Sequence, residues 1–591
     1  MPFINIYDQF NFKTGLMHMY VSMERKMINK KWLSYVSSII IIAFISTPSY
    51  AMMNHSSNNI DVKSAVDVNP HPQIFETYIE AAPYEMTLSN GETATVFAYN
   101  GQVPGPQINA KQGDRIIVHF TNNLPEGFGS TIHWHGIELN NKSDGTPVTQ
   151  EEVPPGGSYT YDFLVPRGGV FWYHPHIRGG QEVIAGLYGP LIIKQPEEMQ
   201  LKMAGVLPMN EKTLVLSDIS FSNGEVKDVE NAPMLETMNG TEGDHLLVNG
   251  QIMPTLTVKP GDGLRLKLVN TSISRYYRLS LPGHTLYRVG GEGGLISKVR
   301  VEGGPAMGMR MPMNESYTGY TGMIAVDQGY NKGEILLAPA QRADIVIIPD
   351  GSSGDELTMV WKDFARGRHQ MMMMPNGTMM MEEADDDGLR PSIDLFKIKL
   401  KSSRMMGMMR WWSSDYNITE GDGLVANPGR LTPERQDSQI KLQEDMMAMM
   451  MGMPKEKWFK IDDFSGVDNR TNYRTATVGE TLKWETHNHT EMHHPFHLHG
   501  FSFQPTMFMT MHHEEGYMDM WNVNAENEYV DTINVPPHTS VFYLFEVDDR
   551  PMFGSAVGST SGGGTDGDWV FHCHIFQHGE NGMMSFLRVT Q

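Results

Sequence analysis

The sequence predicts an all-β chain of three β-sandwich domains, and three observations carry that prediction. Its 591 residues exceed what one core holds, and at roughly 100–200 residues per domain there is room for about three. Apolar residues recur at every second position, as in Ile116, Val118, Phe120 and Leu264, Leu266, Leu268, which is the period of a half-buried strand. Finally, the segment Gly113 to Asn122 reappears as Gly261 to Asn270 and as Gly479 to Asn488. The Gly-to-Asn interval is the same each time, which fits three copies of one sandwich unit.

The copies set the expected boundaries: domain 1 at residues 70–197, domain 2 at 205–401 and domain 3 at 436–591. Residues 402–435, rich in Met, Gly, Ser and charge, read as a linker. A second echo joins the outer copies only. Gly169 to His176 aligns with Asp568 to His574, so a strand in each ends in His-x-His.

Before the first domain, Lys30 and Lys31 precede an apolar run from Trp32 to Ile45 and the small-residue pattern Ser49-Tyr50-Ala51. That order reads as a cleaved signal peptide over 1–51, with Met23 a plausible second start. The run is shorter than the roughly 20 residues a bilayer requires. The expectation is a periplasmic or secreted protein with no membrane span in its mature form. The net charge of -23 excludes a nucleic-acid partner, since neutralising phosphates takes an excess of Lys and Arg.

The chain has 1 cysteine, Cys573, so no internal disulfide is possible, and the thiol has to survive an oxidising compartment. A bound metal would protect it. Four short motifs around it and elsewhere hold ten of the 23 histidines. They are His133-Trp134-His135, His174-Pro175-His176, His494-Pro495-Phe496-His497-Leu498-His499, and His572-Cys573-His574 followed by His578 and Met583. Residues two apart on a strand point to the same side, so each His-x-His pair presents two imidazoles to one point. Domains 1 and 3 facing each other would join eight imidazoles, enough for a three-copper cluster. What remains, His494, Cys573, His578 and Met583, is the ligand set of a blue-copper electron-transfer site. Because Cys573 lies between His572 and His574, the two centres would be covalently joined.

These motifs, in this order, resemble the signature of the multicopper oxidase family, over roughly residues 80–591 and most specifically at His494–Gly500 and His572–Met583. The resemblance implies cupredoxin-like Greek-key sandwiches and four copper ions, with a ligand-free middle domain as spacer. It assigns His133 and His497 to the type 2 copper. His135, His174, His176, His499, His572 and His574 would hold the type 3 pair, and His494, Cys573 and His578 the type 1 copper with Met583 axial. It also implies dioxygen as electron acceptor, reduced to water. Protons for that reduction need acids nearby. Asp144, in Ser143-Asp144-Gly145, looks like the family's relay carboxylate. Glu580 stands two residues after His578, where some members place an acid and others have it one residue earlier, here Gly579. Asp531 is a further candidate.

The donor is suggested by methionine. The chain holds 46, clustered at Met307–Met313, Met371–Met374 with Met379–Met381, Met405–Met409, Met446–Met453 and Met507–Met520. Cores use Met sparingly, whereas soft thioethers select Cu(I). Such insertions resemble those of bacterial copper-efflux and copper-resistance oxidases. The expected donor is therefore Cu(I), with Met492 and Glu491 beside His494 as candidate contacts. A phenol oxidase is the alternative, and a non-enzymatic copper-sequestering protein a further one. The expected form is a monomer.

Overall fold

In the computed structural model, which describes residues 60–373, 379–383, 389–401, 416–466, 473–522, 524 and 526–591, the three repeats occupy equivalent places in three sheets. Strand Arg115–Asn122 runs parallel to Ile74–Thr87 and antiparallel to Ser158–Leu164. Leu264–Asn270 is flanked in the same senses by Asn210–Ile219 and Arg342–Ile347. Thr481–Asn488 lies between Arg435–Glu444 and Thr539–Glu546, again parallel on one side and antiparallel on the other. The expected leader over 1–51, residues 402–415 of the expected linker and the run Met405–Met409 lie outside the described residues.

The recurring asparagine has a structural reason. Asn122, Asn270 and Asn488 are fully buried, and each accepts from the backbone N–H two residues on: Leu124, Ser272 and Thr490. Each amide then donates to one carbonyl of the following loop and one at the end of a strand distant in sequence, Asn270 to Arg275 O and Leu337 O and Asn488 to Met492 O and Val535 O. A side chain that turns the chain and satisfies buried carbonyls is conformationally and electrostatically specific.

A second sheet faces each of these: Ile108–Lys111, Gly189–Lys194, Gly169–His174 and His133–His135 in the first pair, and Thr255–Val258 through Ile335–Leu337 in the second. In the third pair it contains Arg474–Thr477, Met584–Thr590, Gly567–Cys573, His494–Leu498 and Thr532–Val535. The first and third pairs share one buried apolar cluster that contains Trp134, Tyr173, Trp484, Phe571 and Ile575, whereas the middle pair has its own around Leu266, Tyr277 and Trp361. Domains 1 and 3 are thus packed into each other. Among the described residues, no helix is long and apolar enough to cross a membrane.

Two details depart from the sequence reading. The segment assigned to domain 2 lends strands to both neighbours: Glu225–Val226 pairs with Thr93–Tyr99 of domain 1, and Ala306–Pro312 with Tyr517–Asn522 of domain 3. Moreover, the strand Leu264–Asn270, expected to be half-buried, is buried on both faces. Arg265 and Lys267 are tolerated there because Asp344 and Glu198 pair with them, as buried charges require.

Burial alone would push the Asp344 carboxyl up, but Arg265 and Lys267 more than offset it and hold it at about 2. Glu242, buried among Arg275, Arg366, Arg390 and Arg368, is likewise held at about 2. Both folded values lie below the ordinary 3.8 and 4.5, so their stabilisation is complete above about pH 4.5 and is lost as pH falls towards about 2. An acid titration followed by circular dichroism should show unfolding begin in that window. Asn270→Ala strands buried groups, each costing about 1–3 kcal/mol, and should lower the denaturation midpoint; an unchanged midpoint would contradict the role given to the repeated asparagine.

Candidate metal centre

Strand pairing brings the histidines together two by two. His133 lies opposite His174, and His497 opposite His572. Domain packing then closes the two halves on each other: ring centroids are 3.8 Å apart for His135 and His497, 3.9 Å for His133 and His499, and 5.1 Å for His176 and His572. His574 stands 4.9 Å from His135. Helix Phe576–Glu580 turns the chain away, and Phe576 covers His174 and His574 edge-on.

Most of the rings are fixed by their outer nitrogen. Nδ1–H of His133, His174, His497 and His572 donates to the carbonyls of Asp144, Pro175, Asp531 and Cys573 at 2.7, 2.8, 2.9 and 2.8 Å. A carbonyl only accepts, so the lone pair of each ring sits on Nε2, which points inward. His135 is reversed, with Nε2–H donating to Asp531 Oδ1 at 2.9 Å. The Nε2 atoms of His133, His174 and His497, Nδ1 of His135 and both nitrogens of His574 are buried without a hydrogen-bond partner among the described residues. His572 Nε2 meets the Nε2 atoms of His499 and His176 at 3.0 and 3.3 Å. Facing lone pairs in a dry site repel, and buried polar atoms are normally satisfied. Cations between the rings remove both problems, so the donor set fits the metal cluster that the motifs predict. Burial, followed by the neighbouring imidazoles, lowers the pKa of His135, His174, His176, His499 and His574. The rings are therefore neutral, the form that binds metal.

The second group lies behind this one. Cys573 Sγ is 3.4 Å from His494 Nδ1 and 3.8 Å from His578 Nδ1. The outer nitrogens are again held, His578 Nε2 donating to Met238 O at 2.7 Å and His494 Nε2 lying 2.8 Å from Thr490 Oγ1. Met583 is fully buried, and its carbonyl accepts from Cys573 N–H. Burial pushes the Cys573 thiol up, so the sulfur becomes a thiolate only when a metal displaces its proton. Cys573 alternates with His572 and His574 on the strand, so its side chain leaves the opposite face.

The predicted acids separate. Asp144 lies against the cluster, with Oδ2 3.1 Å from His499 Nδ1 and Oδ1 3.4 Å from His133 Nδ1. Gly145 allows this: its φ is +77°, and a Cβ there would collide with the Ile132 carbonyl. Asp531 contacts His135 and is clamped by both terminal nitrogens of Arg342. Burial would raise its pKa, but Arg342 outweighs this and keeps the carboxylate ionised. Among the described residues Glu580 makes no hydrogen bond or ion pair to a histidine; though exposed as a residue, it accepts from Gly180 N–H at 2.9 Å, and desolvation of its carboxyl pushes it up to about 7. Met492 is fully buried near His494, whereas Glu491 is turned outward and paired with His538 at 2.9 Å.

Residues that sequence reading missed complete the site. Glu444 Oε1 is buried without a hydrogen-bond partner, 3.7 Å from His494 Nε2, and Oε2 is 3.2 Å from His369 Nε2. His369 opens a hairpin of His369–Met373 with Met379–Glu383, so one methionine cluster starts at the outer edge of the cysteine site. No motif links Glu444 to His494; the sheet that pairs Leu442 with Asn488 does. The middle domain supplies no imidazole to either group. It does supply Arg342, whose Nε also donates to Val170 O of domain 1 at 2.8 Å, and Glu292, which accepts from Asp531 N–H.

Three models of multicopper oxidases match residues 80–198, 210–303 and 438–591, more than half the chain. Among similar proteins, the multicopper oxidase mco of Staphylococcus aureus is 25% identical over 91% of this chain and 94% of its own. The copper resistance protein A homolog of Pseudomonas syringae pv. tomato is 24% identical over 85% and 90%. Laccase-1 of Botryotinia fuckeliana is 37% identical over 46% and 42%. A multicopper oxidase structure from Campylobacter jejuni superposes with a TM-score of 0.68 at 24% identity, covering 90% of this chain and 94% of that one. With that fold, those matched segments and two buried histidine groups joined through one cysteine, the chain belongs to the multicopper oxidase family and is an oxidoreductase.

Proposed function

We propose that the protein oxidises Cu(I), one electron at a time, and uses the electrons to reduce dioxygen to water, in the periplasm or outside the cell, as a defence against copper. His494, Cys573, His578 and Met583 would hold a type 1 copper, His133 and His497 a type 2 copper, and His135, His174, His176, His499, His572 and His574 a type 3 pair. Bound there, copper supplies one-electron acceptors and a multi-electron donor to oxygen, avoiding release of partly reduced oxygen.

The chain's own residues do the rest. The Cys573 backbone links the thiolate to His572 and His574, a short covalent route for electrons. Asp144 touches the outer nitrogens of His133 and His499 and is positioned to move protons to the cluster. Asp531, held ionised by Arg342, orients His135 and His497 rather than donating. Glu580, its carboxyl raised to about 7 and its residue exposed, suits a proton reservoir at the surface.

The observation that carries Cu(I) as donor is the contact of His369 and Glu444 at the edge of His494. An imidazole and a carboxylate whose Oε1 lacks a hydrogen bond among the described residues, at the foot of a methionine-bearing hairpin, offer a cuprous ion ligands beside the electron acceptor. A phenol is the second reading. It is favoured by a cavity of about 840 Å³ between the second and third domains, lined by His493, Phe364 and Tyr330, which suits a small aromatic molecule.

Fully loaded protein should contain four coppers with an antiferromagnetically coupled pair; one or two ions would sink the proposal. Cys573→Ser should abolish the blue absorption near roughly 600 nm and nearly all turnover, and a blue, active variant would refute the site. Glu444→Gln should lower kcat/KM for Cu(I) by about tenfold or more while changing dimethoxyphenol oxidation less than about twofold. Equal losses on both donors would place Glu444 in electron transfer generally, and a wild-type enzyme active on phenols but not on Cu(I) would favour the second reading.

A further inference from the structure

A further His-x-His sequence, His487-Asn488-His489, belongs to neither histidine group described above. It closes the strand Thr481–Asn488, which pairs antiparallel with Thr539–Glu546 so that His487 lies opposite Ser540. Two residues beyond that pair on either chain stand His489 and His538, and His538 Nε2 is 2.9 Å from Glu491 Oε2. The fold thus collects three imidazoles and a carboxylate at one end of the sheet.

Hydrogen bonding prepares one of these rings. Ser540 Oγ donates its single proton to Glu485 Oε1 at 2.6 Å, since a carboxylate only accepts. Toward His487 Nδ1, 2.8 Å away, the same oxygen is therefore the acceptor, and Nδ1–H donates. The lone pair of His487 is left on Nε2. A carboxylate, a hydroxyl and an imidazole in series fix tautomer and direction in the way that orients metal-binding histidines. The ring of His489 stands 4.2 Å from that of His487, centroid to centroid, with the planes 77° apart. His494 and His578, beside Cys573, are 5.1 Å and 60° apart, so the spacing suits two ligands of one ion. Edge-to-face packing accounts for the contact between the rings, but it does not call for a fixed tautomer. Burial, followed by the neighbouring imidazoles, lowers His487 to about 4, and desolvation lowers His489 as well. Both rings are therefore neutral near pH 7 and able to bind metal. One cation, Lys441, lies opposite His487; the carboxylates of Glu485 and Glu491 outnumber it.

We propose that His487 and His489 bind a divalent ion of borderline softness, such as Zn(II), at the protein surface. The side chains of His538 and Glu491, 43% and 52% exposed, have room to turn and complete the shell. Imidazole and carboxylate are ordinary ligands of such ions, and no thioether or thiolate is required. The role goes beyond the oxidase reading, because an ion that keeps its oxidation state exchanges no electrons with the buried centres.

The test uses copper-loaded full-length protein dialysed against Zn(II) at neutral pH, with the bound zinc counted by atomic absorption. Diethyl pyrocarbonate, which modifies accessible imidazoles, gives a second readout by peptide mass spectrometry. The wild type should bind Zn(II), and His489 should then resist labelling. His489→Gln should lose one Zn(II) or bind it at least about tenfold more weakly. Ser540→Ala keeps both imidazoles but releases His487 Nδ1, and should weaken binding by about tenfold. Blue absorption as in the wild type reports that each variant is folded. His489 is exposed, so its variant also covers a Ser540 variant that fails to fold. Zn(II) affinity unchanged in either folded variant, or equal labelling of His489 with and without Zn(II), would overturn the proposal and leave the two rings as a packed pair. Because zinc is not a substrate, the count is independent of whether Cu(I) is the donor.

Discussion

Everything in this molecule is arranged around imidazole lone pairs that face one another in a dry interior. His572 Nε2 lies 3.0 Å from His499 Nε2, a contact that neutral rings do not seek on their own. It persists because the outer nitrogen of most of these rings is tied to a backbone carbonyl or a carboxylate, which fixes both tautomer and direction. Desolvation keeps the rings unprotonated, and the shared apolar cluster of domains 1 and 3 holds the two halves together. A cation bound among these rings would relieve that repulsion.

The middle domain takes part in that closure without providing a ligand. Arg342 reaches domain 1 through Val170 O and domain 3 through Asp531, Glu292 receives the N–H of Asp531, and Met238 O accepts from His578. A spacer would separate its neighbours. This one fixes the carboxylate that orients His135 and His497, so its packing bears on the cluster from one layer out. Its exchanged strands, Glu225–Val226 and Ala306–Pro312, add the same coupling at the sheet edges.

Three carboxylates have been given different work by their surroundings: Asp144 and Asp531 are buried, whereas Glu580 is exposed. Asp531 is kept ionised by a paired guanidinium, Asp144 stands between two imidazoles, and Glu580 accepts from the Gly180 N–H at the start of a helix, its carboxyl raised to about 7 by desolvation. The same distinction applies to methionine. Met583 and Met492 are sealed in the core, while Met307, Met309 and Met323 are exposed. Position relative to water, more than residue type, separates them.

Much of this was legible in the sequence. The repeat from Gly to Asn marked three sandwiches because a turn with buried carbonyls needs that amide each time, and His-x-His marked the imidazoles that meet at the buried cluster because strand alternation is a local rule. Cys573 between two histidines defined the link between the centres by covalent connection alone. Pairing across domains was not legible. Glu444 at His494, Arg342 at Asp531 and the register of Met309 with Met520 depend on which strands become neighbours, and no local pattern encodes that choice. Burial of Arg265 and Lys267 was hidden for the same reason: alternation states which residues share a face, and only tertiary packing states whether that face meets water.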